Sequence, residues 1–172
     1  MGGNSILIKK GCLIKNLKIE ISGENNKLVI GENCQFYGGG WIRMRDRNGH
    51  IIIGDNLNTS YVFMMKDDNN TNIEIGDNCL FSANIIFRTS DSHSILDRTT
   101  NERVNIGANI KIEDNVWIGY GANILKGSKI GHDSVIGTQT VFSGKEIPPY
   151  SLVVGVPGKV VRSNICWNAE RF

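Results

Sequence analysis

The chain has 172 residues, 21% of them charged, with a formal net charge of +2. That length suits one domain with a real core, and the near-even charge excludes wholesale nucleic-acid binding through a basic surface. With no twenty-residue apolar run, no secretory leader and a start, MGGNSI, that breaks the myristoylation pattern at Ile6, the chain reads as cytoplasmic without an integral membrane segment.

Glycine is abundant (20) and proline scarce (3); asparagine is as common as glycine, and isoleucine commoner than either. Glycine and asparagine accept left-handed turn conformations, and isoleucine favours strands. The mixture predicts many short strands joined by tight turns. The cysteines are Cys12, Cys34, Cys79 and Cys166. None form a CxxC pair, so neither a zinc site nor a redox motif is indicated, and no metal is expected.

In chain order, an irregular stretch precedes IGENCQ (30–35), then come WIRMRDR (41–47), IGDNLN (53–58) and IGDNCL (75–80). Residues 106–141 divide into six blocks: IGANIK, IEDNVW, IGYGAN, ILKGSK, IGHDSV and IGTQTV. Each opens with isoleucine, and the fifth positions are Ile110, Val116, Ala122, Ser128, Ser134 and Thr140. A helix repeats every three or four residues and a strand every two, so a period of six fits a short strand plus a corner. Three such sides close a triangular coil, with the first and fifth residues of each block pointing inward.

Coil starts are expected at Ile30, Ile53, Ile75, Ile106, Ile124 and Phe142. The result is an all-β solenoid of about six to seven coils, roughly 30 Å long. In this scheme Cys34, Leu57, Cys79 and Ile110 share an inward column, and Trp41 and Trp117 hold the same coil position. Between Ser92 and Ile106 the beat stops, which predicts an extruded loop at 93–105 with His93 at its start. The expected boundaries are a β-helix domain over 1–162 and a short C-terminal tail over 163–172, where Trp167 covers the open edge of the last coil.

These blocks, with VWIG (116–119), SDSHSI (90–95) and KEIPPYSLVVGVPGKVVR (145–162), together resemble the left-handed parallel β-helix acyltransferases with hexapeptide repeats. Within them the resemblance is to acetyl-CoA-dependent O-acetyltransferases of sugars and bacterial surface polysaccharides. It covers most of 53–162 and is specific over 88–162. It implies left-handed coils, a homotrimer with active sites between subunits, acetyl-CoA as co-substrate and a carbohydrate acceptor.

Acetyl transfer to a hydroxyl needs a base, oxyanion stabilisation and proximity. The resemblance assigns the base to His93, and an imidazole suits it by titrating near neutrality. Asp91 is the chosen orienting carboxylate; Asp97, Glu113 or a backbone carbonyl are alternatives. Trp117 is a catalytic-site platform for a sugar ring or thioester arm, or a trimer contact. Matching family positions places Gly119, Tyr120, Gly137 and Thr138 along the donor's pantetheine. Lys145, Lys159 and Arg162 fall near its nucleotide phosphates.

On the acceptor side, strand period puts Trp41, Arg43, Arg45 and Arg47 on one face. Trp41, Arg43 and Arg45 are candidates for binding an anionic acceptor; a solvated outer face is the plainer reading. Thr59 or Ser60 fall where an acceptor-touching asparagine sits in similar proteins. His50 and His132 read as turn residues. Two other functions fit the same fold: N-acetylation of an amino sugar nucleotide, and a non-catalytic trimeric binding or assembly module.

Overall fold

A computed structural model describes residues 2–170. Its regular elements are all strands, and every pairing within the solenoid is parallel. They form three sheets, the faces of a triangular prism. The first face runs Ser5–Ile8, Lys27–Ile30, His50–Ile53, Asn72–Ile75, Ile110–Ile112, Lys129–Ile130 and Glu146–Ile147. The second holds Leu13–Ile14, Gln35–Phe36, Asn58–Thr59, Leu80–Phe81, Trp117–Ile118, Val135–Ile136 and Ser151–Val154. The third holds Leu17–Ile21, Gly40–Met44, Val62–Lys66, Ile85–Arg88, Asn123–Leu125 and Val141–Phe142. Six coils are complete and a seventh has two sides. The expected parallel β-helix is therefore the fold.

Alternation along each strand fills the interior. Ile30, Ile53, Ile75, Ile112, Ile130 and Ile147 stack in register on the first face, each at most 4% exposed. Full burial of such a side chain is worth about 1.5–3 kcal/mol. The fifth positions of the hexads, from Ile110 to Thr140, are all buried as expected. Asparagine explains the corners. At the first-to-second corner Asn33, Asn56, Asn78, Asn115 and Asp133 all have φ between 54° and 61°. Short polar side chains tolerate this left-handed turn and bond along the stack, as in Asn56 Nδ2 to Asn78 Oδ1 at 2.9 Å.

The expected phase fails at one place. Ile75 pairs with Ile112, not with Ile106, and Ile106 is 63% exposed. The excursion occupies 89–109 rather than 93–105. Elsewhere an Ile–Gly dipeptide ends a wall strand, as at Ile30, Ile53, Ile75, Ile118, Ile130 and Ile136, but at 106–107 it lies in the loop, where Gly107 N donates to Asp68 Oδ2. Three consequences follow. Val116, not Ile110, continues the Cys34, Leu57 and Cys79 column: Gln35 N donates to Leu57 O, Asn58 N to Cys79 O and Leu80 N to Val116 O. Ile110 stacks on Ile73 instead. Trp41 lies on the third face and Trp117 on the second, so they do not share a coil position.

The tail also differs from expectation. Lys159–Ser163 pairs antiparallel with Ser151–Val154 and covers the edge of the second face. Trp167 instead folds back onto that face, its ring 6.0 Å from Trp117 and its Nε1 donating to Asn115 O. Inside the prism, Lys66 is wholly buried at the third-to-first corner. Its ammonium donates to Arg45 O at 2.8 Å and Asn26 Oδ1 at 3.1 Å, and burial lowers its pKa.

Candidate active site

The loop leaves the third face after Arg88 and rejoins the first face at Ile110. Its root is ordered by its own polar side chains. Ser92 has φ 67°, and its N–H donates to Ser90 Oγ at 3.1 Å. The next amide, His93 N, donates to Asp91 O. Beyond it Leu96 and Arg103 form an antiparallel bridge, and Asp97 Oδ1 accepts from the amides of Thr99 and Thr100 at the tip. Asp97 thus serves the turn and not the histidine.

Asn105 closes the loop on itself. It is 8% exposed. Its Oδ1 accepts from Ile95 N at 2.8 Å and Arg103 Nε at 3.2 Å. Its Nδ2 donates to His93 O at 2.8 Å and Asp91 Oδ2 at 2.9 Å. Two ion pairs tie the loop to the prism: Lys126 to Asp91 at 2.6 Å and Arg103 to Asp68 at 2.8 Å. The hydrogen bond from Lys126, then that from Asn105, holds the Asp91 carboxyl below its usual range. For Asp68, burial acts upward, but hydrogen bonds from Arg103 and Ser90 outweigh it.

The ring of His93 stands exposed and takes no side-chain hydrogen bond among the described residues. Asp91 faces Lys126 and Asn105, so its carboxylate is not spent on the imidazole. Glu113 lies at the first-to-second corner, where Glu113 Oε2 accepts from His132 N.

The donor-side candidates divide between two corners and one face. Gly119, Tyr120, Gly137 and Thr138 stack at the second-to-third corner, with Gly119 N donating to Ile136 O at 2.7 Å. A Cβ on Gly119 would sit 2.7 Å from Thr138 N, so the close stacking of coils itself requires glycine there. Tyr120 is held outward by a bond from Asn84 Nδ2 to its hydroxyl at 2.8 Å. Lys145 lies at the third-to-first corner, two coils beyond the histidine loop. Lys159 and Arg162 lie on the antiparallel strand beside the second face, which also carries Trp117, 40% exposed.

On the third face Trp41 and Arg43 point outward, but Arg43 is tied to Asp67 at 2.6 Å, with side chains 11% and 6% exposed. Its guanidinium also lies 5.3 Å from the Trp41 ring centre. Arg45 follows the strand and is exposed, and Arg47 pairs with Glu24. Thr59 is an inward core residue; Ser60 is exposed. A groove of about 730 Å³ lies elsewhere, along the first face and its corner with the second. Glu74, Glu113, Asp114 and Asp133 line it, which disfavours phosphates. Among the described residues no cluster of histidine, cysteine or acid side chains is placed to hold a metal ion.

Residues 109–144 match the model of the bacterial transferase hexapeptide family (six repeats). A putative acetyltransferase of Schizosaccharomyces pombe is 41% identical over 90 residues, covering 52% of this chain and 42% of that one. The polysialic acid O-acetyltransferase of Neisseria meningitidis is 28% identical, covering 98% of this chain and 87% of its own length. The crystal structure of the polySia specific acetyltransferase NeuO superposes with a TM-score of 0.72 at 26% identity, over 98% of this chain and 80% of that one. The chain spans about two fifths of the length of two curated relatives that it matches. No helix among the described residues is long and apolar enough to cross a membrane. With residues 109–144 matched by that model and its stacked coils shared with NeuO along 98% of this chain and 80% of that one, the chain is a hexapeptide-repeat β-helix similar to the O-acetyltransferases of this kind.

Proposed function

We propose that the chain moves an acetyl group from acetyl-CoA to a sugar hydroxyl, on a capsular or other bacterial cell-surface polysaccharide or its precursor, in the cytoplasm. The observation that carries this reading is the loop 89–109, which presents an exposed His93 from a backbone clamped by Asn105. An exposed ring, unbonded among the described residues, on a fixed backbone suits a general base, which must meet the substrate proton without searching for it. The imidazole accepts the hydroxyl proton as the oxygen attacks the acetyl carbonyl, and returns it to the departing thiolate. The names of the Neisseria meningitidis relative and of NeuO support acetyl transfer to a sugar polymer.

The site is completed by a second copy in a homotrimer. Within one chain, His93 and Lys145 border one corner, while Gly119, Tyr120, Gly137 and Thr138 lie along another. A groove between two prisms would bring one corner of each together. In it the glycines admit the pantetheine, and Lys145, Lys159 and Arg162 face the phosphates. Trp117 supports the substrate arm from the second face, and Asp91 acts by fixing the loop root. Trp41 and Arg45 contribute to the acceptor side, where Arg43 acts through its pair with Asp67.

The test is an acceptor screen with acetyl-CoA, following free thiol and determining the linkage by mass spectrometry. Ester formation on a sugar is the expected result. An amide on an amino sugar, or no thiol release with any sugar, would overturn the reading.

A further inference from the structure

Beneath the root of the histidine loop lies a cleft of about 100 Å³, lined by Arg88, Ser90, Asp91, Leu125, Lys126 and Ser143. Arg88 is the last residue of its strand, in register with Met65 one coil below and Leu125 one coil above. Its stem is therefore flanked by apolar side chains, which strengthen any charge interaction that its head makes. One guanidinium nitrogen donates to Ser92 Oγ at 3.1 Å, and Ser92 Oγ in turn donates to Asp67 Oδ2 at 3.3 Å. Ser92 is the residue immediately before His93.

The charges around the cleft do not balance. Lys126 is matched by Asp91 at 2.6 Å, and Arg43 by Asp67 at 2.6 Å. Arg88 pairs with no carboxylate among the described residues, and its Nε is buried without a hydrogen-bond partner. A cation held beside apolar walls with one buried unpaired donor is costly, and an anion in the cleft would give its guanidinium the opposite charge that no carboxylate among the described residues supplies. Guanidinium is also the side chain best matched to a planar carboxylate.

We infer that this cleft is an anion subsite, with Arg88 as its principal ligand and Lys126 and Ser143 at its sides, and that it receives the carboxylate of an acidic sugar acceptor. The volume is enough for a carboxylate or a phosphate, a few times the roughly 30 Å³ share of one water. Its lining reaches Asp91, two residues before His93, and Arg88 bonds Ser92, the residue before it, which sets an anchored carboxylate near the base that would activate a neighbouring hydroxyl. The inference rests on the reading of the chain as a sugar O-acetyltransferase, and it adds the acceptor's chemical class. A donor phosphate has the same chemistry, so both must be read.

The probes are the methyl glycosides of sialic acid and of glucuronic acid, each beside its methyl ester. Binding is measured by calorimetry without acetyl-CoA, and KM by thiol release. The native chain should bind at least one acid about tenfold more tightly than its ester. Arg88→Met, a good fit between Met65 and Leu125, should bring acid and ester within about twofold of each other. Arg88→Lys should recover part of the difference. Equal binding of acid and ester by the native chain overturns the inference. So does a rise in the KM of acetyl-CoA in Arg88→Met with the acid preference intact, which assigns the cleft to the donor. If acid-selective binding is lost in Arg88→Met but no sugar is ever acetylated, the subsite stands and the transferase reading fails.

Discussion

Lys126 reaches from one coil to the coil below and sets its ammonium 2.6 Å from the carboxylate of Asp91. The same ammonium donates to Asn105 O at 3.2 Å. A corner residue of the next coil therefore holds both ends of the histidine loop, and His93 sits between the two held points.

His93→Ala should lower kcat by about 10²–10⁴, the usual contribution of a general base. Because the ring is exposed and takes no side-chain hydrogen bond among the described residues, the thermal midpoint should hardly move. Initial rates of thiol release beside a melting curve check both halves. A loss below tenfold would remove His93 from the base's role.

Asn105→Ala should act on the loop and not on the prism. The side chain serves four hydrogen bonds while almost buried. Leaving such partners unsatisfied costs about 1–3 kcal/mol, expressed as local opening. The amides of Ile95 and Val104 should exchange faster, and kcat should fall with little change in the KM of acetyl-CoA. Asn105→Asp should be worse than alanine, since it sets a second carboxylate against Asp91. Unchanged exchange at both amides would show that the clamp is idle.

Acid should loosen the loop before the core. Asp91 and Asp68 both have pKa values below the ordinary 3.8. A depressed carboxyl contributes stability that is complete above its unfolded value and is lost as the pH falls through its folded value. Protection of the loop amides should hold at pH 5 and drop below about pH 3.8, in advance of the central strands. Each pair is partly solvated and worth under about 1 kcal/mol, so the effect should be local. Hydrogen exchange corrected for intrinsic rates reads it, and simultaneous loss of loop and core protection would contradict it.

Thiol reactivity should separate the cysteines. Burial pushes the Cys79 thiol up to about 12 and the Cys34 thiol up to about 11. At pH 8 neither offers much thiolate, and both lie inside the prism. Iodoacetamide should label exposed Cys166 first and Cys34 and Cys79 only on unfolding, as peptide mass mapping would reveal. Rapid labelling of Cys79 in the native chain would contradict the stacked core.

The prism was legible because each coil side repeats one physical demand, an inward isoleucine followed by a turn. That demand fixed the buried fifth positions from Ile110 to Thr140. It misled at Ile106, because an Ile–Gly pair in a loop carries the same letters as one on a wall. The site was legible only in part. His93 stood out as a histidine at a break in the rhythm, yet Asn105, Lys126 and Arg88 did not. Lys126 matters through a contact across coils, to Asp91, while Asn105 and Arg88 matter through bonds to loop residues, and sequence spacing records neither which corner a long side chain reaches nor how a loop folds back.

The third-to-first corner spans 67–71 in one coil, 89–109 in the next and 126–128 in the one after, while the first-face register from Ile53 through Ile75 and Ile112 to Ile130 is kept. The stacking register is thus held apart from the loop that carries His93. Replacing 89–109 by a connection of the 126–128 kind should yield an inert, folded prism. A wall built this way carries an extruded loop at one corner without any change in the register that supports it.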